Sequence, residues 1–208
     1  MPEETVILVH GLYMNGMDML ILKKRIEQAG YHTRKFTYKS LRATPVANAV
    51  ELNAFTEQVP SPVIHFVCHS LGGLVVRHMF TMYPDQKPGR VVTLGTPHHS
   101  SSAAHTLQQF SPGALLLGKS THQGLTGDVP AWPADRELGS IAGSLRLGFG
   151  LLIPGIPKPN DGTVAVAETR LAQMKDHITL PVSHFGMLLS RSVAEQTIHF
   201  LRNGSFIH

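Results

Sequence analysis

Short strand-like runs, several of them rich in β-branched residues, recur along this chain, and four of the six are followed by a segment with apolar residues at helical spacing. That alternation limits the possible folds more than any other feature. The runs are TVILV (5–9), HTRKFTY (32–38), VIHFVC (63–68), RVVTLG (90–95), LGSIAGS (138–144) and ITLPV (178–182). Between the first two, Met19, Leu22 and Ile26 share a helix face, with Gly30 as its C-cap. Residues 45–58 can form a second helix, and LGGLVVRHMFTMY (71–83) reads as a third, stopped by Pro84. A last helix is expected from Phe185 to Asn203, carrying Leu189, Val193 and Phe200 on one face. Strands joined through helices imply right-handed crossovers and a mainly parallel sheet covered on both sides. The expected fold class is α/β: about six mostly parallel strands with helices on both faces. A chain of 208 residues suits one such domain, spanning 1–208.

The rhythm lapses over 98–135, which is rich in Ser, His, Gly and Pro and holds the single tryptophan, Trp132. A connection of that length is read as a small cap or lid. A second irregular stretch, GLLIPGIPKPNDG (150–162), follows the fifth strand. Only 15 % of residues are charged, which leaves room on the surface for an apolar groove. The net charge of +4 is scattered rather than gathered in a basic run, so a nucleic-acid partner is not expected. A mildly basic surface is compatible with peripheral contact to an anionic membrane. Cys68 stands alone, so no intrachain disulfide can form. With no basic, apolar leader pattern and no stretch of transmembrane length, the reading expects a soluble cytoplasmic protein.

The segment FVCHSLGGLVV (66–76) passes from a strand through Ser70 and paired glycines into a helix. In open parallel sheets, functional groups gather beyond the carboxyl ends of the strands. A tight strand–Ser–helix turn there lifts the hydroxyl above the sheet as a nucleophile. Small residues are needed two before and two after the serine. Gly72 fills one of these positions, and Cys68 fills the other in place of the commoner glycine. A serine needs a base, and thirteen histidines compete. His10, His65 and His69 adjoin buried strands, where packing or a backbone hydrogen bond is the expected role. His184 directly follows the last strand on the same rim as Ser70 and is the expected general base. The third member has to orient that imidazole. Asp176 lies at the amino end of the last strand, about 20 Å from His184 at roughly 3.3 Å per residue. Asp161, in PNDGTV, lies on the carboxyl side, and the order Ser70–Asp161–His184 follows. Asp176 remains the alternative, while Asp135 and Asp128 precede the fifth strand. The amides of Leu71 and Leu12 are the expected oxyanion donors, the latter beside Gly11 at the end of the first strand.

In VILVHG, CHSLGG, VVTLGTPHHSS, NDGTV and SHFGMLLS, nearly the whole chain resembles the α/β-hydrolases, in particular the small bacterial lipase and esterase branch. Its start at the His-Gly strand resembles the minimal six-stranded lipases. The resemblance implies a Ser–Asp–His hydrolase cleaving acyl esters, with Ser70, Asp161, His184, Leu12 and Leu71 in those roles. The same triad can serve acyl transfer or thioester and amide hydrolysis, and a hydrolase fold can also persist as an inactive binding protein. No cofactor is expected. A metal site at His98, His99, His105 and His122 is weighed and set aside, because their spacing is irregular and no cysteine adjoins them. The expected substrate walls are Leu12 and Tyr13, the Ala114–Leu117 patch with Leu115 and Leu116, Trp132, and Leu151–Ile156 with Leu152. They are apolar and lack an Arg or Lys cluster, which points to small or lipid-like uncharged esters.

Overall fold

A computed structural model describes residues 4–109, 116–148 and 153–208. Among the described residues six strands form one sheet: β1 (Glu4–Val9), β2 (His32–Phe36), β3 (Val63–His69), β4 (Val91–Leu94), β5 (Leu138–Gly143) and β6 (Asp176–Leu180). Their spatial order is β2-β1-β3-β4-β5-β6. Every neighbouring pair is parallel. The expected sheet is therefore present, and parallel throughout. Its strands are linked through α1 (Leu20–Gln28), α2 (Pro45–Glu57) and α3 (Leu71–Met82), with α4 (Ser102–Gln108) in the long connection and α5 (Arg191–Asn203) at the end.

Alternation along the central strands divides the core into two layers. Ile7, Val9, Phe66 and Cys68 point to one face, where they meet Leu52 of α2 and Leu74, Val75 and Met79 of α3. Val6, Leu8, Val67 and Val92 point to the other, against Leu22 and Ile26 of α1 and Val193 and Phe200 of α5. The helical spacing read from Met19, Leu22 and Ile26 is thus the spacing of a buried face. No helix among the described residues is long and apolar enough to cross a membrane.

Three elements differ from the sequence reading by two residues or more. β6 begins at Asp176, two residues early, because Gly139 of β5 is already in register with it. β2 ends at Phe36. There Tyr38 turns inward, donating its hydroxyl to the His10 carbonyl at 2.7 Å and stacking on the His10 ring at 4.3 Å. The final helix starts at Arg191 rather than Phe185, because the Ser190 hydroxyl caps it by accepting from Val193 N–H. A 3-10 turn at Gly186–Leu188 precedes it, and Leu189 is exposed rather than on the buried face.

Candidate active site

The turn at Ser70 is built by strain and close approach. Ser70 has φ 51° and ψ −121°, a conformation that non-glycine residues adopt only when their surroundings hold them there. Here three bonds hold it. Ser70 N–H donates to the Leu94 carbonyl at 2.9 Å, and Gly73 N–H donates to the Ser70 carbonyl at 3.1 Å. That carbonyl also accepts from the Thr96 hydroxyl at 2.8 Å. The first turn of α3 passes so near β1 that a Cβ on Gly72 would lie 2.5 Å from the Val9 carbonyl oxygen. Gly72→Ala should therefore cost about 1–3 kcal/mol of stability and lower Tm by roughly 3–10 °C, measured by thermal unfolding. An unchanged Tm would show that this approach is not tight.

Cys68 can stand where glycine is commoner because its side chain faces the α3 layer, fully buried beside Leu71 and Leu74. Burial pushes its thiol far above the ordinary range, so it is not a competing nucleophile. Leu71 opens α3, and the amide of a first helical residue has no partner inside its helix. That amide, at the positive end of the helix dipole, suits a negative oxygen. Leu12 lines the same cavity as Ser70. The turn that carries it is fixed by His10, whose Nδ1 donates to the Gly11 carbonyl at 2.8 Å. Its Nε2 accepts from Tyr38 N–H at 3.3 Å.

Asp161 and His184 come from the irregular stretch after β5 and the loop after β6, and the structure brings them together twice. His184 Nδ1 donates to Asp161 Oδ2 at 2.7 Å, and His184 N–H donates to the Asp161 carbonyl at 2.9 Å. The other carboxylate oxygen accepts from Thr163 N–H at 2.8 Å and Val164 N–H at 2.7 Å. The Asp161 side chain is almost wholly buried while His184 reaches the cavity. Because Nδ1 carries the proton toward the carboxylate, Nε2 is left with a free lone pair. Gly95, at the end of β4 with φ +59°, leaves the space: a Cβ there would lie 3.0 Å from both Asp161 Oδ2 and His184 Nδ1. Asp176 lies at the amino end of β6, accepting from Phe206 N–H at 2.7 Å and paired with His208. Asp128 and Asp135 are exposed.

Ser70 and His184 open into a cavity of about 470 Å³ with walls from four parts of the chain. Leu12, Tyr13 and Met14 follow β1, Leu107 comes from α4, Leu116, Leu117 and Leu125 come from the long connection, and Ile153, Val164 and Phe185 complete it. Tyr13 donates its hydroxyl to the Leu116 carbonyl, joining the first loop to the connection. Of the residues expected as walls, Leu12, Tyr13, Leu116, Leu117 and Ile153 line the cavity, while Ala114, Leu115, Leu151 and Leu152 lie outside the described residues. Trp132 does not line it. Its indole N–H donates to the Arg136 carbonyl at 2.8 Å, and its ring packs edge-on against Phe80 and His98 in the α3 layer. A large ring with one satisfiable donor is better buried there than held at an open rim.

The sequence reading missed Met14, Leu107, Leu125, Val164 and Phe185 as wall residues. Only α4 left a usable sign: Ser101 caps it, accepting from Ala104 N–H at 3.2 Å, and Leu107 falls on its buried side. A hollow of about 620 Å³ opens at the opposite, amino edge of the sheet. There Glu4 pairs with His65 and Arg90 with Glu137. Among the described residues, no three His, Cys, Asp or Glu side chains gather as a metal would require. His98 is buried against Thr93 at 3.1 Å, and burial with Arg77 alongside pushes it down to about 3.

Comparison with known proteins agrees with this architecture. No curated protein matches the chain in sequence. Among solved structures, Bacillus licheniformis lipase BlEst2 in its mature form superposes with a TM-score of 0.72 at 19 % identity, over 99 % of this chain and 92 % of that one. A metagenomic carboxyl esterase gives 0.71 at 20 %, over 88 % of this chain and 65 % of that one. A bromoperoxidase from Bacillus anthracis gives 0.66 at 13 %, over 97 % and 92 %. At such identities the likeness is one of fold, and the fold is that of the α/β-hydrolases. Residues 2–106, which include Ser70, match the family described as "Putative serine esterase (DUF676)". With half of its length covered by that match and the rest completing the same fold, the chain belongs to this serine esterase family and is an α/β-hydrolase.

Proposed function

We propose that the protein is a serine carboxylesterase that cleaves uncharged acyl esters through Ser70, His184 and Asp161. The observation that carries the reading is the buried Asp161 carboxylate 2.7 Å from His184 Nδ1, with His184 and the strained Ser70 facing one apolar cavity. In this scheme Ser70 Oγ attacks the ester carbonyl carbon while His184 Nε2 takes its proton. The oxyanion is held by the amides of Leu12 and Leu71. Collapse breaks the bond to the alcohol, which leaves with the proton from His184. A water, deprotonated by the same imidazole, then releases the acid from Ser70. Asp161 holds the imidazole in the required tautomer and stabilises its charged form.

Substrate preference follows from the walls. The cavity lining is mainly aliphatic and aromatic, with Ser101, Thr163 and His69 as its polar members besides Ser70 and His184, and among the described residues no Arg or Lys lines it to clamp a charged acyl group. Each methylene buried there contributes about 0.8 kcal/mol, roughly fourfold in kcat/KM. Uncharged esters of short to medium chains are expected to be preferred over acetate and over charged esters. A series of p-nitrophenyl esters from acetate to octanoate tests this. A kcat/KM that falls steadily along the series would overturn the substrate assignment and leave the triad untouched.

A further inference from the structure

His69 stands at the last position of β3, one residue before Ser70, and the proposed chemistry gives it no task. It is 1 % exposed. Its Nε2 lies 3.0 Å from the carbonyl oxygen of His184, which can only accept, so Nε2 carries the proton. Nδ1 is then a bare acceptor, buried and without a hydrogen-bond partner among the described residues. Leaving such a group unsatisfied is destabilising, a cost that an apolar side chain would avoid. Packing alone therefore does not account for a histidine here.

Three segments of the site meet on this ring. A Cβ on Gly11, after β1, would come within 2.8 Å of His69 Nδ1 and 3.1 Å of Ser70 Cβ. The His184 ring lies 4.6 Å away, tilted by 49°. Ser70 follows β3 and His184 follows β6, with β4 and β5 between them. Three strand spacings are about 14 Å, so the loop after β6 has to fold back across the sheet to bring base and nucleophile together. Asp161 fixes that loop from the β5 side, and His69 is the tie from the β3 side. Burial, and next the neighbouring His184, hold the His69 imidazole well below its ordinary range. It is thus neutral and places no charge beside a ring that has to accept a proton.

We propose that His69 is a positioning residue: its Nε2–H anchors the His184 main chain to the nucleophile turn and so keeps the His184 imidazole over the Ser70 hydroxyl. The proposal rests on the triad reading above. Displacing a reacting group by about 1 Å can cost on the order of 100-fold in rate.

The test compares His69→Phe, His69→Asn and His69→Gln, using p-nitrophenyl butyrate and turnover normalised to the folded fraction measured by circular dichroism. Phe keeps the ring but loses the donor, Asn is too short to reach, and Gln can present an N–H near the Nε2 position. Phe and Asn are expected to lower kcat by about 10–100-fold with KM within about twofold, while Gln stays within about fivefold of wild type. A packing role predicts the reverse ranking, with Phe tolerated and Gln impaired, and that result overturns the proposal. So do equal losses in all three variants, or wild-type kcat in Phe and Asn. His184→Ala, measured alongside, separates the two readings. If it is inactive while His69→Phe is not, only the role of His69 falls; if it keeps wild-type turnover, the triad falls and His69 with it.

Discussion

Replacing Ser70 by alanine is expected to abolish ester hydrolysis while leaving the protein folded. The turn is held by backbone bonds to Leu94 and Gly73 and by the Thr96 hydroxyl, none of which uses the Ser70 side chain. Alanine keeps all of them, and the lost hydroxyl contributes little packing at the floor of an open cavity. Without the nucleophile, the rate should drop by roughly 10⁶-fold, to what binding and the oxyanion donors alone can supply. Two measurements check this: turnover of p-nitrophenyl butyrate, and covalent labelling by a fluorophosphonate, which should vanish in Ser70→Ala. Wild-type turnover in the variant would overturn the mechanism. Labelling of the native protein at Ser70 would also exclude an inactive binding protein on the same fold.

Asp161→Asn is expected to lower kcat by about 10³–10⁴-fold, with Asp176→Asn changing it less than about twofold. The Asp161 carboxylate spends one oxygen on the amides of Thr163 and Val164 and the other on His184. In the asparagine variant the side-chain oxygen can keep the two backbone amides, which turns the NH2 toward His184 Nδ1. That nitrogen must then accept, so the proton moves to Nε2, and the base can no longer take one from Ser70. Asp176 is instead tied to the end of the chain through Phe206 N–H and His208. Its replacement should show as a lower Tm. The opposite ranking in kcat would transfer the orienting role to Asp176.

The sequence by itself determined those features that depend on residues close together in the chain. Alternating β-branched and helical segments are local patterns, and they dictated the parallel sheet and the faces of α1 and α3, because a chain with that rhythm has few other ways to bury its apolar groups. The Ser70 turn was legible for the same reason: strand, serine, paired glycines and helix are contiguous. Asp161 could be preferred over Asp176 because the direction of a parallel strand fixes which of its ends faces the site. Tertiary structure decided what depends on segments far apart. Whether Trp132 lined the cavity or filled the core turned on where Phe80 and His98 stood, and neither lies near it in sequence. The walls at Leu107, Leu125 and Phe185 are ordinary apolar residues until the connection between β4 and β5 is folded over the sheet. For His69 the sequence offered only packing or a backbone hydrogen bond beside a buried strand, a role shared with His10 and His65, and not its partner. Only the return of the loop after β6 across two strands puts the His184 carbonyl within reach of its Nε2.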